Sequence, residues 1–441
     1  MTSSSERFLR APILPLLLRL SAPGLLLVAF QSLTSVGDTY FIGRLGTAPL
    51  AGLALVFPLI MLLQMASAGA MGGGVSSAIA RALGAGNPAT ARRLMVHAMA
   101  IALAMGALFS LLLLTLGRPA YVLLGGRGET LQAALAYSNI VFAGAVVVWV
   151  ANTLSSVLRG TGNMLVPAGA LIGAAVVHLP LSGALVLGLG PLPRLGIAGA
   201  GVAYVTSFAI AACVMAWMVF RPSSALRPRR GDFRLEWRLF LDILRVGAVS
   251  VLNAVQTVLT AVILTGLVAR FGSAALAGYG VGLRLELLQI PIVFAVGQAL
   301  VVLVGTNLGA RDPARARRIA WTGAGLAAGI SLAIGIVVTV APLAWVGLFS
   351  DDPAVLASGS RYLRTVGPLY PMLAVGIALY FASQGAGRVM WNVLAGTARL
   401  AIVIAGGALA GSLQAIFWVI ALAILVFGAL SIAFVARTKW N

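Results

Sequence analysis

The sequence predicts an all-α polytopic membrane protein with twelve transmembrane helices in two pseudo-symmetric six-helix bundles. Three observations predict it. The 441 residues are 61% hydrophobic and 9% charged, with mean hydropathy +1.04, whereas a soluble domain carries roughly 25% charged residues. The apolar residues gather into runs of the length a helical span needs, about 20 residues. The chain also repeats itself. Gln31, Leu63-Gln64, Gly84, Pro88 and Arg92-Arg93 recur 225 residues later as Gln256, Leu288-Gln289, Gly309, Pro313 and Arg317-Arg318.

The twelve runs cover about 12–42, 48–79, 94–116, 132–157, 165–188, 197–220, 241–269, 275–306, 318–340, 358–383, 391–411 and 413–436. Open sheet edges cannot face lipid, so the runs are helices. Between the repeated motifs, Arg44, Gly46 and Leu50-Ala51-Gly52 recur 226 residues later as Arg270, Gly272 and Leu276-Ala277-Gly278. Six spans separate equivalent points. An even number keeps both halves facing the same way, so their pseudo-twofold axis runs along the membrane normal. The expected organisation is an N-terminal lobe over 1–220, a basic cytoplasmic linker over 221–240 and a C-terminal lobe over 241–441. Gly72-Gly73-Gly74 and the many other glycines fit close helix packing better than hinges.

Charge sets the orientation. The net charge of +20 and a pI near 11.7 do not imply nucleic acid, because the basic residues lie between apolar runs, as the positive-inside rule requires. With both termini in the cytoplasm, 21 of the 30 Lys and Arg residues, Arg7 and Lys439 among them, fall on the inner side and 5 on the outer. The expected location is a bacterial cytoplasmic (inner) membrane, with the bilayer as partner and a monomer as the working unit. One cysteine, Cys213, excludes an intrachain disulfide, and two distant histidines offer no metal cluster. No cleavable signal is evident. The glycine runs lack the Lys-Ser/Thr of a phosphate loop, so the chain reads as no enzyme and no ATP-driven pump, with no cofactor.

Two acids fall inside apolar spans, Asp38 and Glu286. A carboxylate in hydrocarbon costs at least ~2.5 kcal/mol, which marks each as a candidate site. For Asp38 the alternative is a carboxylate satisfied locally by Thr34, Ser35 or Thr39. Glu286 has Arg284 two residues before it. Residues at that spacing point to different helix faces, whereas Gln289 shares the face of Glu286. Glu286 either attracts cationic cargo or pairs structurally with an arginine such as Arg361 or Arg364. Trp149, Phe142, Tyr204, Tyr279, Phe294, Tyr370, Tyr380 and Phe381 are candidates for stacking on cations, or for plain core. Trp217, Trp237 and Trp440 read as interfacial anchors.

Several passages together resemble the multidrug and toxic compound extrusion (MATE) family. They are Gly37-Asp38-Thr39 with Gly43-Arg44-Leu45-Gly46, then Arg81, Gly84 and Gly86-Asn87-Pro88, echoed by Gly305, Gly309 and Asp312-Pro313. Arg159-Gly160-Thr161-Gly162-Asn163, Gln384-Gly385-Ala386-Gly387-Arg388 and Gly196 with Gly199 also fit. The resemblance covers nearly the whole chain. It implies two bundles enclosing a V-shaped cavity, and efflux of organic, often cationic, compounds in exchange for H⁺ or Na⁺. It is similar to the DinF-like bacterial and archaeal branch, in which an aspartate of the first span couples transport and a proline fifteen residues earlier bends the helix. Asp38 and Pro23 match these. The sequence departs from the family in the fifth span, where His178 and Ser182 replace Asn and Asp. It departs again at Tyr204, where Thr is common. Gln256 falls near an acid position of the NorM-like branch.

His178 is the only histidine in the middle of a span, and an ordinary imidazole titrates near 6.5. Sharing one proton between Asp38 and His178 is the expected coupling chemistry. A Na⁺ site asks for several oxygen ligands, and Asp38 with Ser182 and Asn152 is a thin set, so H⁺ is favoured. The coupling set is therefore Asp38, His178, Ser182, Asn152 and Tyr204, with Pro23 as the bending point. Glu286, Gln256, Gln289, Tyr279 and Arg284 are expected around small organic cationic or amphiphilic substrates. A flippase for lipid-linked oligosaccharide or cell-wall precursors is the nearest rival. A passive channel or scaffold is the more distant one.

Overall fold

The computed structural model describes residues 8–438 and 440; Arg7 and Lys439 lie outside them. Among the described residues, eleven helices are long and apolar enough to cross a membrane. The pair Gly128–Ala143 and Ala145–Gly160, bent by 50°, makes a twelfth when taken as one span. The spans, in order, are Ile13–Gly43, Thr47–Gly84, Pro88–Leu123, the bent pair, Leu165–Leu187, Ile197–Phe220, Trp237–Ala269, Ser273–Gly309, Pro313–Val340, Pro353–Gly385, Met390–Leu409 and Leu413–Arg437. These are called spans 1–12 below.

The duplication is written into the backbone. Asn87 and Asp312, 225 residues apart, cap spans 3 and 9 alike. Each side chain accepts a hydrogen bond from the amide three residues on, Thr90 at 3.0 Å and Arg315 at 2.9 Å. Each is followed by proline at the first helical position, where its missing N–H costs nothing. The residues just before Asn87 and just before Asp312 both turn left-handed, but one is Gly86 (φ 71°) and the other Arg311 (φ 61°). A Cβ in that region costs roughly 1–2 kcal/mol. Arg311→Gly is therefore expected to raise stability by up to about 1 kcal/mol, read as a higher thermal midpoint in detergent.

The chain forms two compact units. One is Ala22–Gly247; the other joins Met1–Ser21 to Ala248–Asn441. In the second unit, Phe8, Leu16 and Leu17 pack with spans 8–10. Arg315 donates to the carbonyls of Phe8 and Ala11 there. Trp440 is buried in the same cluster, so it is core rather than the interfacial anchor expected of it. Trp217 and Trp237 are each 68% exposed at span ends, as anchors are. Trp149, Phe142, Tyr370 and Phe381 are fully buried and belong to the helix packing.

In the first unit, span 2 contains one π-helical stretch, Met65–Met71, followed by the glycine triplet. A Cβ on Gly72 would meet the hydroxyl of Ser156, and one on Gly74 would lie 2.7 Å from the Ile243 carbonyl. The triplet therefore lets neighbouring backbones approach, which is the packing role expected of it.

The segment joining spans 6 and 7, with the first turns of span 7, is tied to spans 2 and 3. Arg92 pairs with Asp232 at 3.0 Å, Arg93 with Glu236, and Arg81 with Asp242 at 2.7 Å. His97, fully buried, accepts the Glu236 N–H at Nε2 (2.8 Å), so its Nδ1 carries the proton and donates to the Arg93 carbonyl (2.7 Å). Burial acts to push the Asp232 carboxyl up, but the Arg229 amide and the Arg92 guanidinium outweigh it and hold the carboxyl below its ordinary value. A depressed carboxyl contributes stability above its unfolded value, about 3.9, that is lost as pH falls through the folded value. Amide exchange over residues 229–236 is therefore expected to stay slow down to about pH 4 and to accelerate below it. Arg92→Ala, which leaves the buried Asp232 carboxylate with the Arg229 amide but no guanidinium, is expected to cost about 1–3 kcal/mol at neutral pH.

Candidate functional site: a carboxylate–imidazole pair in the first unit

Span 1 carries Asp38 on its last turns, and span 5 brings two partners to it. His178 and Ser182 are four residues apart and so share one face of span 5. His178 Nε2 lies 2.8 Å from Asp38 Oδ2, and Ser182 Oγ donates to Asp38 Oδ1 at 2.5 Å. Both carboxylate oxygens are thus engaged from one helix. The side chains are 5% (His178) and 15% (Asp38) exposed.

Small residues set this geometry. A Cβ on Gly37 would collide with the side chain of Leu179, and one on Gly183 would lie 2.8 Å from the Phe41 ring. Spans 1 and 5 therefore touch through glycine on both sides of the polar contact. Pro180 sits between His178 and Ser182 within span 5. It cannot donate a backbone hydrogen bond, so the helix runs on but lacks one rung of its ladder where it meets Asp38. The local hydroxyls are occupied elsewhere: Thr34 and Thr39 bond the carbonyls of Gln31 and Ser35. Asp38 is satisfied across helices rather than within its own.

The imidazole has a second neighbour, the backbone carbonyl of Ala203 on span 6. A carbonyl only accepts, and an ionised carboxylate only accepts. An imidazole placed between the two is fully bonded when the pair holds one proton beyond neutral histidine and ionised aspartate. Take that proton away and one of the two contacts becomes acceptor against acceptor. The arrangement can therefore act as a one-proton clasp that joins spans 1 and 5 beside span 6.

The other coupling candidates stand in an adjoining network. Gln64 Nε2 donates to the Tyr204 hydroxyl at 2.6 Å. Asn152 Nδ2 donates to Gln64 Oε1 at 3.0 Å and to Ser67 Oγ at 2.8 Å. Asn152 thus serves the π-helical part of span 2 rather than Asp38. Tyr204 stands within electrostatic reach of Asp38, as does the buried Tyr137 on span 4. Gln64, Ser67 and Tyr137 are residues that sequence reasoning did not assign to the site. Gln64 carried a signal, its recurrence as Gln289; Ser67 and Tyr137 carried none. Pro23 lies inside span 1, and the helix runs on through it.

In the second unit the candidate residues Glu286, Gln256, Gln289, Tyr279 and Arg284 do not converge on one point. Glu286, 6% exposed, accepts from the Tyr362 hydroxyl. Its partner is thus a phenol rather than Arg361 or Arg364, both of which are exposed. Tyr362 lies across Gly282, and Tyr279 meets it edge-on at 5.3 Å. Arg399 is within electrostatic reach of Glu286 and stacks on Phe427 at 5.8 Å. Arg284 is exposed and lies over Phe349 at 5.1 Å, on a different face from Glu286. Gln289 donates to Ser331 and Gln256 to Thr397, each at 2.8 Å. Among the described residues no group of three or more His, Cys, Asp or Glu is arranged to hold a metal ion.

Comparison with known proteins bears on this architecture. The chain is 29% identical over 409 residues to a FAD transporter from Shewanella oneidensis, covering 92% of this chain and 89% of that one. It is 24% identical to the multidrug export protein MepA of Staphylococcus saprophyticus, covering 91% and 89%. Its fold matches a MOP-superfamily transporter from Pyrococcus furiosus with a TM-score of 0.90 at 22% identity, over 99% of this chain and 100% of that one. The family model described as MatE matches twice, over residues 23–183 and 249–409. With both halves matched in register, the chain belongs to the MatE family, the multidrug and toxic compound extrusion transporters.

Proposed function

We propose that this protein is a secondary antiporter that exports small organic compounds, cationic or amphiphilic, across a bacterial cytoplasmic membrane in exchange for H⁺. Both termini face the cytoplasm in this reading. The observation that carries it is the Asp38–His178 clasp. A hard cation such as Na⁺ needs oxygen lone pairs, whereas here one partner of the carboxylate is an imidazole and the other a hydroxyl donating to it.

The clasp supplies the coupling step. With its proton, the Asp38–His178–Ser182 contact holds span 1 against span 5. Loss of the proton sets acceptors against each other, and span 1 is free to move, with Pro23 as the point where its backbone ladder is already interrupted. Cargo that binds better to the deprotonated state drives proton release, by no more than its difference in affinity for the two states. The Shewanella relative, named as a FAD transporter, favours one second reading of the cargo, a flavin dinucleotide.

Proteoliposomes loaded with a fluorescent organic cation or with FAD, under an imposed pH gradient or an imposed Na⁺ gradient, test the proposal. Movement of the cation under the pH gradient alone is the expected result. Movement under Na⁺ alone contradicts proton exchange, and movement of FAD but not of the cation replaces the cargo assignment.

A further inference from the structure

The segment between spans 6 and 7 carries a surface that transport chemistry does not use. Together with the first turns of span 7 it carries three acids, Asp232, Glu236 and Asp242. All three are paired with Arg81, Arg92 and Arg93 of the neighbouring helices. What remains outward is basic. Arg227, Arg230, Arg234 and Arg238 are exposed, and none is in an ion pair among the described residues. Apolar side chains alternate with them: Phe233 is 60% exposed and Leu235 60%, between Trp217 and Trp237 at 68% each.

Positive charge beside a membrane is ordinary, and topology alone accounts for it. Three features go further. The acids that would neutralise the patch are consumed by pairing with the protein. Every basic residue of the segment is arginine, whose planar fork matches phosphate oxygens two at a time. The exposed apolar side chains lie at the ends of two spanning helices, at the depth where aromatic residues meet headgroups.

We propose that this segment is a docking surface for anionic phospholipid, with Arg227, Arg230, Arg234 and Arg238 holding headgroup phosphates and Phe233, Leu235, Trp217 and Trp237 entering the acyl boundary. The inference is independent of what the protein transports and of the coupling ion. Bound lipid fastens the join between spans 6 and 7, whose inner side is fastened by the pairs to Arg81, Arg92 and Arg93.

The test uses the full chain, delipidated in a neutral detergent. Phosphatidylglycerol, phosphatidylcholine, inorganic phosphate and poly(U) are titrated separately, with bound lipid read by native mass spectrometry and the thermal midpoint by fluorescence. Phosphatidylglycerol is expected to bind and raise the midpoint, with phosphatidylcholine giving neither. The combined variant Arg227→Gln, Arg230→Gln, Arg234→Gln, Arg238→Gln should bind phosphatidylglycerol about tenfold or more weakly, since each basic residue at a membrane surface contributes attraction. Its lipid-free midpoint should match the wild type, because these side chains make no ion pair among the described residues. Wild-type binding should also weaken in high salt, a reading that needs no variant. Equal binding of the two lipids, or full binding by the variant, overturns the proposal. So does reproduction of the effect by inorganic phosphate alone or by poly(U).

Discussion

Asp38→Asn is expected to abolish transport driven by a pH gradient, reducing the rate at least about a hundredfold, the range over which a positioned proton-transfer group acts. The substitution is isosteric. The amide still accepts from Ser182 and still faces His178, so the helix contact survives and the folded protein remains. What disappears is the carboxylate. His178→Asn is the sharper companion. An amide preserves a hydrogen bond to Asp38 but carries no proton of its own. Proton-driven transport is expected to fall about tenfold or more and its pH profile to move, as measured by initial rates at several external pH values. An unchanged profile in His178→Asn would leave Asp38 acting alone and dissolve the pair.

Tyr362→Phe is expected to have the largest effect on stability, about 3 kcal/mol, read as a lower midpoint in detergent. The phenol is the hydrogen-bond donor found for Glu286, and a buried acceptor stripped of its donor bears its full desolvation cost. Removing both groups should restore much of the loss. In the double variant Glu286→Leu, Tyr362→Phe there is no stranded carboxylate, and apolar replacement of a buried polar pair is often near neutral. If the double variant is as unstable as the two single losses combined, the contact is not the reason for the burial of Glu286. If Tyr362→Phe leaves stability intact but removes transport, Glu286 belongs to the transport machinery rather than to the packing of spans 8 and 10.

What the sequence made legible followed from short-range rules. Twelve apolar runs became twelve spans because length and hydropathy decide what crosses a bilayer. His178 and Ser182 were set beside Asp38 by the resemblance to the MATE family, and because four residues make about one helical turn the two share a face of span 5. The register of the repeat set Pro88 and Pro313 at equivalent points, and the residues before them, Asn87 and Asp312, cap equivalent helices. The contacts that stayed hidden are those between helices far apart in the chain. Nothing local marks Tyr362, rather than Arg361 or Arg364 beside it, as the residue facing Glu286. That choice is made by Gly278 and Gly282, which let span 8 lie close against span 10. Likewise nothing local marks Asn152 as the partner of Gln64 and Ser67 across the helices. Trp440 read as an anchor from its place near a predicted inner boundary, but the N-terminal residues Phe8, Leu16 and Leu17 share a core with it.

The central claim is that cargo and a proton compete through the Asp38–His178 pair, and proton release on cargo binding measures it most directly. Purified protein in weakly buffered detergent solution, with a pH-indicator dye, is mixed with a transported compound. The account predicts release of about one proton per protein molecule by the wild type, the single proton of the clasp, and none by Asp38→Asn although the compound still binds. Binding to the wild type without proton release, or equal release from Asp38→Asn, would contradict it.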